Sequence, residues 1–483
     1  MVDSRNGTST GSSPSRPGPR PLAAFRRGRP LSTLIRVTLA FVGFVAFLHV
    51  AVLMATAIQP PPGFVPRTSA PTPPCVSAIC REGPSWVDTR SPVITARFAG
   101  SPEDLGRAHA SLLHAQMIED EGALWSAFRR HVPSVFARTL VLDIARLRFR
   151  RLDERYPHTR RLELAAAADS LMPDPFALEI PTYQRLLYLN SLYDVALSFE
   201  GSPLVGCTSV AFAADPASKS PTLLARNFDF ETDDVFDRGK AVLVFQQDQL
   251  IPVLSVGWPG LMGVVSGMNA AGVGIVIHGA RAGHPTRLGE PVPITVREAL
   301  SVCRTTRQAV DFISKRPAMV SHMLLIADAQ GTLAVMERVP ERPAFVRWGI
   351  RSMVLTNHLE GPSSGSAANQ RVRANTSTLA RRARADQLVA ALSEPVTPAD
   401  LAAILRDRGA VGGAPLAPGD RRAIDAGIAT HGVIMDLSAL RIWVSEGPHL
   451  DGRFLGFSLP ALLRDPDDAR QDALAHALPA RAR

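Results

Sequence analysis

The sequence contains few lysines and few cysteines, and it lacks the short motifs of several enzyme classes. Only three lysines occur (Lys219, Lys240 and Lys315), so arginine supplies nearly all of the positive charge. The four cysteines include no CxxC pair and no cysteine–histidine cluster of zinc-site spacing, and HExxH is absent. The sequence therefore predicts neither a metal site nor a cofactor.

Positive charge is concentrated at the N-terminus, although the formal net charge of the whole chain is +9. Seven arginines against one aspartate give residues 1–36 a charge of +6, which leaves only +3 for all the others. That remainder is too dilute to attract a phosphate backbone, so nucleic acid is not an expected partner. Residues 1–36, rich in Arg, Pro, Ser and Gly, predict a disordered basic tail.

A long uncharged apolar segment follows this tail. Residues 37–58, VTLAFVGFVAFLHVAVLMATAI, are enough to span a hydrocarbon core of roughly 30 Å as a helix. The alternative is a cleaved signal peptide, for which Ala55-Thr56-Ala57 is the cleavage site. We expect an uncleaved single-pass anchor, with the arginine-rich tail in the cytoplasm and the catalytic part in the periplasm or outside the cell.

Two segments precede the part of the chain that carries the chemistry. Residues 59–90 begin Pro-rich and predict a semi-extended linker. Within it, Cys75 and Cys80 are either a local disulfide or two unrelated thiols. Residues 91–206 repeat apolar residues at spacings of three and four, which predicts a mostly helical segment.

The pattern changes to short β-rich runs after Gly206. Residues 207–450 alternate such runs with two helices, and Gly-Met-Asn-Ala-Ala-Gly at 267–272 is typical of a hairpin turn between two strands. Residues 451–483 predict a polar tail. The fold class expected from this order is α+β, a helical segment followed by an α+β body.

The most informative residues lie around Cys207. GCTS at 206–209 opens one strand, and LARNFDFE at 224–231 places Arg226 and Asp229 near the end of the next. Because paired strands bring such residues side by side, the three form one polar group. The cation favours a thiolate, and the carboxylate can hold an amine that serves as general base.

GCTS followed by LARNFDFE resembles the Ntn-hydrolase family of the fungal acyl-coenzyme A:6-aminopenicillanic acid acyltransferase and its bacterial relatives. More distantly it is similar to choloylglycine hydrolases and acid ceramidase. The resemblance covers residues 91–447 and is strongest over 205–232. It implies a four-layer αββα sandwich and a precursor that cuts itself before its cysteine, whose new amine then serves as the base for its own thiol.

The resemblance also implies roles for single residues. Cys207 becomes the nucleophile and, through its freed amine, the general base, with Arg226 and Asp229 beside it. Asn357, in a TNH segment, donates to the oxyanion, an interaction worth about 2.7–4 kcal/mol. Arg381, in the stretch STLARRAR, becomes the distal arginine.

Two of these assignments stay open in the sequence. Arg382 or Arg384 replaces Arg381 after a small shift of register. Choloylglycine hydrolases have an oxyanion asparagine at the end of the strand after the hairpin, where this chain has His278-Gly279. Either His278 or a backbone N–H must supply that second donor.

Self-cleavage is expected at the Gly206–Cys207 peptide bond. Without a Cβ, Gly206 can adopt the strained backbone that an N-to-S acyl shift requires. The products would be an α fragment, residues 1–206, and a β fragment, residues 207–483, which stay associated because the helical segment would otherwise expose its apolar faces. The expected substrate is a small N-acyl amide.

Other classes of function fit the sequence less well. Gly361–Gly365 has the form GxSxG, but its proline and polar neighbours mark it as a loop, not a serine nucleophile elbow. The main alternative is a membrane-anchored, non-catalytic binding protein with an Ntn-like fold. Hydrolysis and acyl transfer share a thioester intermediate, so the sequence does not separate them.

Overall fold

The computed structural model describes residues 30–67, 75–198, 205–215, 217–230 and 234–481. The chain divides into two units, the first ending at Met54 and the second beginning at Ala55. The first unit contains most of helix α1 (Pro30–Ala55), and its stretch Thr33–Ala55 is long and apolar enough to cross a membrane. A signal sequence meets the same criterion. Residues 1–29 of the predicted tail lie outside the described residues.

The remaining elements belong to the second unit. Its helices are α2 (Pro102–Leu112), α3 (His114–His131), α4 (Val135–Arg148), α5 (His158–Ser170), α6 (Thr182–Asn190), α7 (Leu192–Leu197), α8 (Val235–Arg238), α9 (Val292–Val302), α10 (Thr306–Ser314), α11 (Ala367–Asn375), α12 (Thr378–Ala391), α13 (Pro398–Leu405), α14 (Leu459–Leu462) and α15 (Pro466–Ala475). Its strands are β1 (Ile79–Glu82), β2 (Ser85–Asp88), β3 (Ile94–Gly100), β4 (Val205–Phe212), β5 (Leu223–Phe230), β6 (Ala241–Gln247), β7 (Val253–Gly257), β8 (Ser266–Asn269), β9 (Val273–Gly279), β10 (His322–Asp328), β11 (Leu333–Arg338), β12 (Phe345–Gly349), β13 (Ser352–Leu355), β14 (Ala429–Asp436), β15 (Arg441–Ser445) and β16 (Phe454–Ser458).

The strands form two sheets. The larger has the order β1-β2-β3-β6-β7-β8-β9-β10-β11-β12, and the smaller has the order β13-β4-β5-β14-β15-β16. Neighbouring strands are antiparallel except β3 and β6, which pair in parallel over Ile94–Gly100 and Ala241–Gln247. Because β3 precedes Cys207 and β6 follows it, the larger sheet is built from both sides of the predicted cleavage site.

The two sheets share one apolar core. Val242, Met268 and Met323 of the larger sheet pack in the same buried cluster as Leu224 and Met435 of the smaller sheet. This burial of β-branched and long aliphatic side chains supplies most of the driving force for the sheets to stack.

Helices cover the other side of each sheet. α2, α5 and α6 pack with β3 and β6, α9 and α10 with β9 and β10, and α12 and α13 with β4, β5 and β14. α2 and α5 approach closely at Gly106, where a Cβ would clash with the carbonyl group of Glu163. The second unit is therefore a mixed α+β fold.

The alternation of side chains along β4 explains how one strand serves two environments. Successive side chains of a strand point to opposite faces. Thr208 accordingly reaches Arg381 of α12, whereas Ser209 reaches His278 of β9 in the larger sheet. Cys207 has the same parity as Ser209 and lies in a cluster with Ile275 and Ile277 of the larger sheet.

The structure corrects several boundaries expected from the sequence. The predicted linker, residues 59–90, contains β1 and β2, which turn at Gly83-Pro84, and Cys75 and Cys80 form a disulfide. These two strands were missed because each has only four residues. The apolar helix ends at Ala55, not at residue 58.

Two larger segments also differ. The predicted helical segment, residues 91–206, begins with β3 and ends with the start of β4, so it is part of both sheets. The predicted polar tail, residues 451–483, contains the edge strand β16, in which Phe454 and Phe457 are buried, and α15 packed against it. Its short apolar run, FLGFS, is followed by so many charges that it does not stand out. The hairpin predicted at 267–272 is confirmed, but residues 267–269 belong to its first strand, so the turn is shorter than predicted.

The shared sheet predicts how a chain cut at Gly206–Cys207 behaves. The fragments 1–206 and 207–483 should elute as one particle in detergent, because parting them breaks the β3–β6 ladder and exposes the core beneath α2. Size-exclusion chromatography with a tag on the β fragment checks this, with uncut Cys207→Ala protein as the reference. Release of the α fragment without denaturant would contradict it.

Candidate active site

Cys207 lies near the start of β4 with no exposed surface. In the β4–β5 pairing it stands opposite Phe228, while Gly206 stands opposite Asp229 and Ser209 opposite Arg226. The hairpin thus brings together the residues that the two motifs predict. The Gly206–Cys207 bond lies inside this ladder.

Arg226 contacts the thiol directly. Its Nη2 donates to Cys207 Sγ at 3.2 Å and to the Ile277 carbonyl at 2.6 Å, and its Nη1 donates to the Val265 carbonyl at 2.7 Å and to Ser266 Oγ at 2.6 Å. Burial raises the pKa of the Cys207 thiol, and the Arg226 guanidinium opposes that rise. The arginine is therefore placed to stabilise a thiolate at this position.

The backbone of Cys207 is held on both sides. Its N–H donates to Asn357 Oδ1 at 2.8 Å, and its carbonyl accepts from Arg381 Nη1. Arg381 also donates from Nη2 to Asn357 Oδ1 at 2.9 Å and from Nη1 to Thr208 Oγ1 at 2.9 Å. Asn357 and Arg381, both predicted from the sequence, thus hold the backbone N–H and carbonyl groups of Cys207.

Arg381 is distinguished from its two neighbours by these contacts. Arg382 forms ion pairs with Glu360 and Asp386, and Arg384 pairs with Asp407, so both have partners elsewhere. The structure therefore adopts the register in which Arg381 contacts Cys207 and Asn357.

Asp229 is buried next to Gly206. A Cβ added to Gly206 would lie 3.2 Å from Asp229 Oδ2, so a larger residue there would crowd this carboxylate. Among the residues that the structure describes, Oδ1 of Asp229 has no hydrogen-bond partner. Burial raises the pKa of Asp229 to about 6, and Arg381 counteracts the rise.

The backbone of Gly206 is extended in this structure. Its φ is not positive, and it lies in the regular β4 ladder. The strained conformation that the expected acyl shift requires is therefore not the resting one, and in this conformation the missing side chain leaves space for Asp229.

His278 is engaged by neighbours that the motifs do not include. Its Nε2 lies 2.7 Å from Ser209 Oγ and its Nδ1 lies 3.2 Å from the Thr356 carbonyl. Burial lowers the pKa of His278 well below its usual value, and Arg226 and Arg381 reinforce this. In the neutral ring Nδ1 donates to the carbonyl and Nε2 accepts from the hydroxyl, which leaves no ring N–H for an oxyanion.

The amide N–H groups of Asn357 are not directed at Cys207. Its Nδ2 donates to the Gly279 carbonyl at 3.2 Å, while its Oδ1 is turned to the Cys207 N–H. The side chain thus holds the backbone of Cys207 through its oxygen.

Sequence reasoning missed Ser266 and His431. Ser266 Oγ accepts from Arg226 and lies 3.0 Å from His431 Nε2, and the His431 ring stacks on Phe228 at 5.2 Å. Neither residue stands in a motif, and their only signal is a polar residue in an apolar strand. His431 contacts Ser266, and Ser266 contacts the Arg226 guanidinium that binds the thiol.

A polar cavity borders the peptide group of Cys207. Gly206, Asp229, Asn357 and Arg381 contribute to its walls. It is rich in cations, since four arginines line it: Arg281, Arg381, Arg421 and Arg422. Asp229 is the one acidic side chain among its described walls, so the cavity favours an anionic or strongly polar group.

An apolar cavity borders the other neighbours of the thiol. Phe228, which pairs with Cys207, and Val265, whose carbonyl binds Arg226, are among its walls. Leucines and aromatic rings from α3, α6, α7 and the loop after β7 complete it: Leu124, Leu186, Leu189, Leu192, Tyr193, Trp258 and Leu261. Such a lining suits an aliphatic or aromatic group.

Comparison with known proteins agrees with the motifs. Residues 217–411 match the family "Acyl-coenzyme A:6-aminopenicillanic acid acyl-transferase", a range that contains Arg226, Asp229, Asn357 and Arg381 but not Cys207. The predicted resemblance to this acyltransferase family is confirmed over that range. No curated protein matches the chain.

Three solved structures are similar to the chain at low identity. The N-acylethanolamine-hydrolyzing acid amidase ortholog of Caenorhabditis elegans is 16% identical, with 48% of this chain and 93% of that chain covered and a TM-score of 0.37. Penicillin V acylase of Agrobacterium tumefaciens is 14% identical, with 55% and 89% covered and a TM-score of 0.37. The conjugated bile acid hydrolase of Clostridium perfringens is 13% identical, with 57% and 97% covered and a TM-score of 0.38.

The contact between Arg226 and the thiol gives a testable consequence. Arg226→Gln should shift the pH dependence of Cys207 alkylation to higher pH, because it removes the charge that favours the thiolate. Mass spectrometry after treatment with a small alkylating reagent measures this. If the wild type cuts itself, proteins with and without Arg226→Gln are compared in the Asp229→Asn background. Cys303, the other buried free cysteine, is an internal control whose profile should not move. An unchanged Cys207 profile would contradict the assignment.

Proposed function

We propose that this chain, which carries the acyltransferase-family domain over residues 217–411, is a self-processing cysteine Ntn hydrolase of N-acyl amides. Its acyl intermediate would be a thioester on Cys207, transferred to water or to an amine. We further propose that the two stacked sheets and their helices are the four-layer αββα sandwich of such enzymes. The observation that carries the proposal is the convergence of Arg226, Asn357 and Arg381 on the thiol and peptide group of Cys207.

The first step would be cleavage of the chain itself. The Cys207 sulfur adds to the carbonyl carbon of Gly206, the C–N bond breaks, and the nitrogen takes up the thiol proton. Water then hydrolyses the thioester, which leaves a carboxylate on Gly206 and a free amine on Cys207. The contacts of Asn357 and Arg381 hold the backbone while this happens.

Turnover would use the amine so produced. The amine accepts the thiol proton, the sulfur attacks the carbonyl of the N-acyl amide, and the departing amine leaves with that proton. Asp229, beside Gly206, holds the ammonium form, and Arg226 stabilises the thiolate. Asn357 turns its Nδ2 from the Gly279 carbonyl to the oxyanion, with a backbone N–H as the second donor.

The two cavities assign the two halves of the substrate. The acyl chain would occupy the apolar cavity next to Phe228, and the amine half would occupy the arginine-lined cavity next to Asp229. An apolar acid joined to a polar amine, and not an extended peptide, matches this division.

Cleavage and activity should depend on Cys207 together. Wild-type protein should yield two fragments, the second beginning at Cys207, and should release fatty acid from N-acyl amino acids. Cys207→Ala should remain one chain without activity. Asp229→Asn should cut slowly and also turn over poorly, because its amide cannot hold by charge the ammonium that forms on Cys207. Mass spectrometry and an acid-release assay measure both, and Cys303→Ala is the matched control that keeps both.

An active chain that is intact from residue 206 to 207 would refute the mechanism. Faster cleavage of unblocked oligopeptides than of any N-acyl amide would refute the substrate class. A folded, cleavage-incompetent protein that binds acyl amides without turnover would instead support the non-catalytic alternative.

We propose a single-pass membrane location with the catalytic unit outside the cytoplasm. The support is the apolar stretch Thr33–Ala55 preceded by arginines. Cys207→Ala protein fused at its C-terminus to alkaline phosphatase should show phosphatase activity and remain in the membrane fraction. Deleting residues 30–55 should abolish the phosphatase signal. A soluble, N-terminally trimmed product would show a signal peptide instead of an anchor.

A further inference from the structure

The apolar cavity contains a carboxyl group that an alkyl chain does not require. Its polar wall residues are Asp120 and Glu121 of α3, Asn190 and Tyr193, and the other walls are aliphatic or aromatic. Among these four, only Asp120 Oδ2 and the Tyr193 hydroxyl lack a hydrogen-bond partner among the described residues. The Asp120 side chain belongs to a residue that is only 5% exposed. A buried carboxyl group in such surroundings is costly unless it is hydrogen-bonded.

Asp120 has no partner of the kind that normally offsets this cost. Among the described residues its Oδ2 has no hydrogen-bond partner. The adjacent acid, Glu121, shows the contrast, since it accepts from Trp125 Nε1 at 2.9 Å and pairs with Arg185 at 2.6 Å. The carboxyl group of Glu121 is thus hydrogen-bonded within the fold, whereas Oδ2 of Asp120 is not.

The fold also makes room for this carboxyl group. A Cβ on Gly239 would lie 2.9 Å from Asp120 Oδ1, so a larger residue there would displace the side chain. Burial raises the pKa of Asp120 to about 8, and the neighbouring Glu119 adds to the rise. At neutral pH the group is mostly a neutral acid, which both donates and accepts a hydrogen bond.

We propose that Asp120 recognises a hydroxyl group on the acyl half of the substrate, so that the apolar cavity selects hydroxylated acyl chains over plain alkyl chains. This inference rests on the proposed function, because it assigns the acyl half to this cavity. A hydroxyl complements a neutral acid in both directions of hydrogen bonding. A plain chain that displaces water from the cavity leaves the carboxyl group without a partner, and such a loss disfavours it.

Competing substrates test the selection. Wild-type protein is offered N-lauroylglycine, a positional series of its monohydroxylated forms, and its terminally aminated form. One hydroxylated isomer should exceed N-lauroylglycine in kcat/KM by about ten- to hundredfold. Preference for the plain chain or for the aminated chain would overturn the proposal.

Variants of Asp120 locate the effect. Asp120→Leu should remove the preference by lowering kcat/KM for the hydroxylated isomer while sparing N-lauroylglycine, and Asp120→Asn should keep most of it. Ser126→Leu is the control on the same helix, because Ser126 is exposed and does not line the cavity. A preference that survives in Asp120→Leu, or a loss that is equal for both substrates, would overturn the proposal.

A binding measurement separates this inference from the proposed function. Calorimetry with Cys207→Ser protein compares free lauric acid with the hydroxylauric acids, with and without Asp120→Leu, and thermal melting confirms that each variant is folded. If the wild type turns over no N-acyl amide, the proposed function fails, but tighter binding of one hydroxy acid that disappears in Asp120→Leu still supports the role of Asp120. Equal binding of the plain and hydroxylated acids overturns it.

Discussion

A guanidinium group without exposed surface is the constraint on which the site depends. Arg226 donates to the carbonyls of Val265 and Ile277, to Ser266 and to the Cys207 thiol. It starts in the smaller sheet and ends on strands and loops of the larger one. Since a buried charge costs less when its N–H groups are hydrogen-bonded, the four acceptors of its two Nη atoms fix the distance between the sheets where the thiol sits, while Nε has no partner among the described residues.

The same constraint explains why neutral histidines surround the site. His278 and His431 both lie near Arg226, and burial together with that positive charge lowers the pKa of each well below its usual value. They can only position neighbours through hydrogen bonds to Ser209 and Ser266. A pKa held this low makes both imidazoles weak bases for the thiol, which fits a base made by cutting the chain.

The sequence predicted the polar part of the site better than its surroundings. Arg226 and Asp229 follow Cys207 at a spacing that brings them beside it when the two strands pair as a hairpin. Asn357 and Arg381 were predicted from local motifs that resemble those of a family. Ser266 and His431 were not predictable, because their role comes from the packing of one sheet on the other. The close approach of Asp229 to Gly206 was not predicted either, because it depends on the placement of the paired strand.

For the fold, long periodic helices and the 267–272 hairpin were predictable, because their signals are local. The strands β1, β2 and β16 were not, since each has only four or five residues and gives too short a pattern to be recognised.

The parallel pairing of β3 with β6 has a consequence for the lifetime of the protein. A chain cut after Gly206 would have its larger sheet divided between two molecules that folded as one. Refolding after full denaturation would then be a second-order reaction, slow at low concentration, whereas the uncut precursor refolds on its own. The mature protein would be maintained by a high barrier to unfolding and not by reversible equilibrium, so that each molecule has a single opportunity to assemble.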